Sequence, residues 1–227
     1  MLSKTYSTSY IGIKSFIIEI ETDIHNGLPA FNMVGLPDTV IKESKERVRS
    51  AIKNSGYEFP IGKITINFAP ADVKKEGSYY DLAVAIGILI SSGKINNDDI
   101  NNSIFIGELS LNGEVRSVKG ILPMVIEAKR SNFNRVFIPI QNCQEVKIID
   151  GIDIYGVSTL LELIDFLNGN IQLERVKSQE YQQFTIPEYE VDFCEVIGQK
   201  FAKRAVEISA SGYHNLLMIG PPGGEKL

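Results

Sequence analysis

The chain has 227 residues, of which 44% are hydrophobic, and carries a formal net charge of −5. That length and composition allow one sizeable core with residues left over for a second, incomplete unit. The acidic balance argues against nucleic-acid binding through the overall field, because phosphate contacts need clustered Lys and Arg, and leaves local basic patches for that role.

Residues 16–21 are β-prone, and a turn signal at Asn26-Gly27 separates them from a second apolar run over 30–34, which predicts a pair of strands. Pro37-Asp38 opens a helix, with Asp38 or Thr39 as N-cap and Val40, Ile41, Val48, Ala51 and Ile52 on one face. Its other face is charged, and Asn54-Ser55-Gly56 closes it. Alternation over 63–68 predicts a strand with Ile64, Ile66 and Phe68 on one side, ended by Ala69-Pro70. The Ala-rich apolar run over 82–90 is too long for an ordinary strand and predicts a buried helix that starts at Asp81 and stops near Gly93. Asn112-Gly113 between β-prone flanks is a hairpin signal within 104–118. A helix over about 121–131, strands over 135–139 and 152–156, and a helix over 158–167 follow. Together these elements predict an α+β or α/β sandwich as one domain over residues 1–168. Residues 169–191 are polar without a regular period and read as a linker. A loop, a helix over 199–210 and a short apolar strand over 216–219 then lead into Gly220.

Cys143 and Cys194 have no C-x-x-C spacing and read as reduced, largely buried thiols; His25 and His214 fit no metal-binding pattern, so no metal site is expected. The N-terminus lacks an apolar run of signal length, and no stretch approaches the roughly 20 apolar residues of a membrane span. A cytoplasmic location is expected.

The chemistry-bearing motif lies at the end. A G-x-x-x-x-G-K-[ST] loop works because glycines let backbone N–H groups converge on phosphate oxygens while the Lys reaches them and the hydroxyl binds magnesium. Gly220-Pro221-Pro222-Gly223 has the right context, but Gly224 comes one position early, Glu225 stands where the Lys belongs, and no Ser or Thr follows Lys226. Gly220, Pro221, Pro222, Gly223, Gly224 and Lys226 therefore read as a degenerate phosphate loop, the front part of a larger ATPase.

Two groups of residues carry a resemblance. Val196-Ile197-Gly198-Gln199, the Ala- and Arg-bearing helix after it, His214-Asn215-Leu216-Leu217 and Gly220-Pro221-Pro222-Gly223 resemble the opening of an AAA+ module of the magnesium-chelatase-like class. Upstream, Val34-Gly35-Leu36-Pro37-Asp38, Glu43-Ser44, Glu46-Arg47-Val48-Arg49, Asn67-Phe68-Ala69-Pro70-Ala71-Asp72 and Lys75-Glu76-Gly77 resemble the ComM/YifB competence-protein family. The resemblance runs from Tyr10 to Gly223. It implies an α+β two-layer sandwich like the Lon proteolytic domain over 1–168, the linker over 169–191, and an incomplete α/β AAA+ segment over 192–227. It further implies a parent motor that uses ATP and magnesium, assembles as a homo-hexamer and acts on DNA in branch migration and recombination during natural transformation. Ile197, Gly198 and Gln199 are its implied adenine-side contacts. Neither cofactor is expected on this fragment, nor is a membrane partner.

The Lon likeness brings an alternative, a peptidase with a Ser nucleophile activated by a Lys. In Lon-like enzymes the Ser stands two positions after the Gly of a K-D-G-P-S pattern. Here Lys75-Glu76-Gly77 is followed by Ser78 and then Tyr79, so Tyr79 holds that place, and Leu122 in Lys119-Gly120-Ile121-Leu122 holds the place of the Lys. An aliphatic side chain cannot deprotonate Ser, so the fragment is expected to be non-catalytic. A second alternative is a true magnesium chelatase ATPase subunit. The charged helix face with Lys45, Arg47 and Arg49 reads as a solvated surface or as a docking face for DNA or a neighbouring subunit. The loop at Lys75-Glu76-Gly77-Ser78 reads as a capping loop, with Asp81 expected to cap the buried helix.

Overall fold

A computed structural model describes residues 2–12, 14–71, 75, 77–95, 98–179 and 192–221. The chain divides into two compact units, residues 1–180 and 181–227. The first is mixed α/β. Strand β1 (Leu2–Ile11) turns at Gly12 into β2 (Lys14–His25), with Leu2 opposite Asp23 and Ile11 opposite Lys14. Strand β3 (Ala30–Val34), helix α1 (Thr39–Asn54), strand β4 (Lys63–Ala69) and helix α2 (Asp81–Ser91) follow. Then come β5 (Ser103–Phe105), β6 (Glu108–Leu109), β7 (Val115–Arg116) and helix α3 (Ile121–Arg130). Strand β8 (Arg135–Pro139), the short helix α4 (Cys143–Val146), β9 (Asp153–Val157) and helix α5 (Leu160–Leu167) complete it.

Seven strands form one sheet in the order β3-β4-β2-β1-β5-β8-β9; β2 runs antiparallel to both its neighbours and the other adjacent pairs are parallel. The strands expected to pair, β2 and β3, are not neighbours. Helix α1 acts as a crossover that returns the chain parallel to β3, so β4 lies between them. The predicted hairpin forms only as the small β6-β7 pair, because the flank at Ile104 joins the main sheet as part of β5. On α1 the buried stripe is Ile41, Ser44, Val48, Ala51 and Ile52, while Val40 is exposed. Ser44 fits there because its hydroxyl donates back to the Ile41 carbonyl, 2.7 Å away.

After α5, the polar chain stays with the first unit over its described part. Leu173 and Val176 pack on the core, Val176 N–H donates to the Ile154 carbonyl and Gln179 N–H to that of Lys147. In the second unit, helix α6 (Lys200–Gly212) buries no residue, and residues 214–221 adopt no regular structure. The strand expected over 216–219 is therefore absent. A strand needs a hydrogen-bonded neighbour, and none lies alongside among the described residues of this unit; Leu217 and Ile219 stand 82% and 90% exposed. Cys194 is also exposed and Cys143 only half-buried, against the expectation of buried thiols.

Helix α2 is the centre of the first unit, with every residue from Asp81 to Leu89 buried. Leu82, Ile86 and Leu89 are wholly excluded from solvent, each side chain contributing about 2 kcal/mol by leaving water. The face of β1 beneath it is lined with hydroxyls. Ser3 Oγ donates to the Gly87 carbonyl at 2.8 Å, Thr5 Oγ1 to that of Ala83 at 3.0 Å, and Ser91 Oγ to the Thr22 carbonyl at 2.9 Å. Short side chains allow a close approach, and a Cβ on Gly87 would sit 2.6 Å from Thr22 Oγ1. Alternate residues of β1 face the other way: Tyr6 packs at a tilt against Phe133, just beyond α3, with ring centroids 5.2 Å apart. Helices α2 and α3 thus cover opposite faces of β1. Gly87→Val should lower the unfolding free energy by about 3 kcal/mol through overpacking. In urea this reads as a lower midpoint at unchanged slope; an unmoved midpoint would show that the helix can lift off the strand without cost.

Candidate functional site

The two upstream motifs meet in space. After β3 the chain turns through Gly35 (φ +92°) and Leu36 (φ +56°), both in left-handed conformations. A side chain on Gly35 would run into the Phe68 carbonyl of β4. Pro37 bridges Lys75, Asp38 N–H donates to the Lys75 carbonyl at 3.1 Å, and Lys75 N–H donates to that of Leu36 at 3.4 Å. The Asp38 carboxylate serves both segments: one oxygen accepts from Ile41 N–H at 2.8 Å as the α1 N-cap, the other from Gly77 N–H at 3.2 Å. Lys75 is fully buried, its ammonium donating to the Pro70 carbonyl. Asp72 and Glu76 lie outside the described residues.

From this clasp the chain enters α2. Asp81 does not cap it; the N-cap position is Tyr80, without a side-chain bond. The Asp81 carboxylate is instead gripped by Arg47 of α1, through Nε at 2.7 Å and Nη2 at 3.2 Å, and accepts from Leu109 N–H of β6 at 3.2 Å. Only 1% of its side chain is exposed. Burial pushes the carboxyl up to about 6, outweighing the opposite pull of Arg47. So of the three cations read together on α1, Arg47 turns inward, and Lys45 and Arg49 remain on the outer side.

The positions where a Ser–Lys pair would stand are filled differently. Tyr79 is buried, its hydroxyl 3.1 Å from Ser9 Oγ and its ring 4.6 Å from that of Tyr80 and 6.2 Å from that of Tyr10. Gly120, the left-handed N-cap of α3, presses on Tyr10 from the other side, at 2.7 Å for an added Cβ. Helix α3, which carries Leu122, and the loop before α2 therefore converge on Tyr10. Burial pushes the Tyr79 phenol up, away from any acid–base task near neutrality. The Ser78 hydroxyl donates to the Glu108 carboxylate, itself 3.5 Å from Arg116. No Lys or His nitrogen bonds Ser78 among the described residues.

In the second unit, Ile197 is 95% exposed, Gly198 has φ +77° and Gln199 φ +49°. Gly220 and Pro221 are exposed and irregular, while Pro222, Gly223, Gly224 and Lys226 lie outside the described residues. Counted from Gly220, the pattern puts Glu225 in the place of its second Gly, Lys226 in its Lys position, against the expectation that Glu225 stands there, and Leu227 in the place of its hydroxyl; the loop keeps the cation and lacks the glycine and the hydroxyl. Among the described residues no cluster of His, Cys, Asp and Glu could hold a metal ion, and no helix is long and apolar enough to cross a membrane.

Comparison with known proteins gives the kinship. The family model described as subunit ChlI of Mg-chelatase matches residues 20–142, and that of magnesium chelatase, subunit ChlI, matches residues 192–227. The competence protein ComM of Haemophilus influenzae is 38% identical over 228 residues, covering 99% of this chain and 44% of the relative. YifB of Escherichia coli is 41% identical over 225 residues, with the same coverage. The chain belongs to the ComM/YifB family. It is thereby an AAA+ family member of the magnesium-chelatase-like kind. Lon protease 2 of Bacillus subtilis is 36% identical over 138 residues, 60% of this chain and 24% of the relative. The chain spans about 44% of the length of the ComM and YifB relatives it matches.

What sequence reasoning missed in this ComM/YifB chain is the Arg47–Asp81 pair, which no short spacing announces across 34 positions. Arg47→Met should cost about 3–5 kcal/mol at pH 7 by leaving a buried carboxylate unpaired, and the double change with Asp81→Leu should cost clearly less than the two single losses added. Additive losses in urea unfolding would show that the two side chains act separately. The pH dependence has a definite sign. The folded carboxyl titrates near 6 and the unfolded one near 4, so the native state holds the proton more tightly. Relative to Asp81→Asn, the parent's unfolding free energy should fall as pH rises from about 4 to about 6 and then level. A rise over that window would reverse the assignment.

Proposed function

We propose that the first unit is a Lon-type domain that has lost its chemistry and serves as the non-catalytic N-terminal part of a hexameric AAA+ motor acting on DNA. The observation that carries the reading is the filling of the nucleophile position by the buried Tyr79 in a chain whose later residues match the magnesium chelatase model. We infer a two-layer sandwich of that domain type as its core, a reading supported by α2 packed on β1 and β2 with α1 against α2, α3 being added on the other face of β1. The boundaries proposed are a domain to about residue 168, a connecting stretch to 191, and the opening of the motor from 192.

In the complete protein the motor uses ATP and magnesium, with Gly220 to Lys226 marking its phosphate loop and Ile197, Gly198 and Gln199 its adenine side. The match of residues 192–227 to the magnesium chelatase model supports this. Branch migration and recombination in natural transformation are the processes the kinship points to, in the cytoplasm. The magnesium chelatase reading rests on the descriptions of the matching models; insertion of the metal into a porphyrin by the complete protein would establish it instead.

Three measurements test the proposal. The complete protein should hydrolyse ATP in a DNA-stimulated manner, and this chain should neither cleave an unfolded protein substrate nor be labelled at Ser78 by a fluorophosphonate probe. Labelling abolished by Ser78→Ala would identify a working peptidase and overturn the non-catalytic reading; DNA-indifferent hydrolysis by the complete protein would overturn the DNA assignment.

A further inference from the structure

A groove of roughly 1100 Å³ runs between α1 and the edge of the sheet at β3 and β4. It exceeds the upper end of ordinary small-ligand pockets, so it suits an extended occupant. Lys45, Arg49 and Lys53 of α1, spaced four residues apart, share one face of the helix and line it, and Lys94 adds a fourth cation. Glu46 and Glu58 are its carboxylates, so four positive charges face two negative ones in a chain whose net charge is −5. None of the four cations has a carboxylate within ion-pair distance among the described residues. Like charges repeated at this spacing weaken a helix, so the stripe does not arise from helix stability.

The groove also carries rings. Phe31 and Phe59 stand 6.1 Å apart and each is only half-buried; the Lys45 ammonium lies 5.8 Å from the Phe31 centroid and the Arg49 guanidinium 5.8 Å from that of Phe59. Tyr57 lines the same wall. Cations lying over half-buried aromatic rings along an open channel match a flexible polyanion with planar bases: phosphates draw the cations and bases take their places on the rings. An acidic peptide would use the cations and leave the rings without a matching partner.

We propose that this groove binds single-stranded DNA, with Lys45, Arg49, Lys53 and Lys94 on the phosphates and Phe31 and Phe59 as stacking platforms. The choice of DNA rests on the motor reading above; the single-strand chemistry rests on the groove itself. The test is fluorescence anisotropy of this chain with a labelled oligo-dT of about 20 residues at low salt. Arg49→Glu with Lys53→Glu should weaken binding at least about tenfold and flatten the log–log salt slope by about 1.4, two lost phosphate contacts at 0.7 each. Lys129→Glu with Arg175→Glu, the same charge change placed outside the groove, should leave both unchanged. Because the chain has no tryptophan, Phe59→Trp introduces a single indole reporter whose emission a stacked base should quench. Equal weakening by both double variants, or undiminished indole emission from the Phe59→Trp variant at saturation, overturns the groove while leaving the DNA-acting reading in place. Equal competition by duplex DNA, oligo-rU or polyglutamate overturns the single-strand DNA assignment in favour of that competitor. Absence of binding by this chain overturns the groove proposal, and DNA-stimulated ATP hydrolysis by the complete protein separately decides the motor reading.

Discussion

The pairing of Arg47 with Asp81 is the interaction on which the arrangement of the first unit turns. Asp81 is the first residue of a helix buried on nearly every side, and its carboxylate is almost wholly shielded from water. Such a charge is expensive unless its lone pairs are met. Arg47 meets two of them and the Leu109 amide a third, so α1, α2 and the β6-β7 hairpin are fixed to one another through a single group. Burial pushes the carboxyl towards protonation against the pull of Arg47, and the pair therefore also constrains geometry. Its contribution is registry: a slide of α1 along α2 by one turn would strand the carboxylate.

Registry of α1 has a consequence at the surface. With Arg47 turned inward, residues two before and two after it must point outward, because two positions on a helix differ by about 200°. Lys45, Arg49 and Lys53 then form a row beside the aromatic wall of the groove. The buried pair and the exposed row are therefore two sides of one helical phase. The Asp38 clasp sets where that helix begins, by capping α1 and holding the loop at Gly77 with the same carboxylate.

Where periodicity was strong, the sequence was sufficient: α2, β4, α3, β8 and α5 follow from runs of apolar residues whose spacing admits one reading. Strand β1 was invisible because its inward face is Ser3, Thr5, Ser7 and Ser9, hydroxyls that carry no hydrophobic signal and are buried only because α2 offers carbonyls to accept from some of them. The pairing of β3 with β4 in place of β2 is a long-range choice made by the crossover, which local pattern cannot encode. The motifs at 34–38 and 75–77 were legible as kinship, yet their contact was not, since nothing in either segment names the other. Charge counting on α1 found the cations and could not separate Arg47 from Lys45 and Arg49, because the deciding partner lies 34 positions away. The short strand over 216–219 failed for the opposite reason: its local pattern was sound, but a strand exists only beside another.

The segment where the resemblance places a Ser nucleophile is filled by aromatic packing. A catalytic Ser and Lys need a polar, partly open site in which a Lys can lose its proton. Here Tyr10, Tyr79 and Tyr80 occupy that region as packed rings, and Tyr80 lies edge-on to Phe68 of β4 at 5.7 Å. Aromatic burial contributes more to a core than the polar pair could, and the left-handed Gly120 leaves the room that Tyr10 requires. With the rings in place, Tyr79→Ser alone would open a cavity, and Leu122 would stand where the resemblance places the base. The Ser78 hydroxyl donates to the Glu108 carboxylate, which ties the loop before α2 to β6.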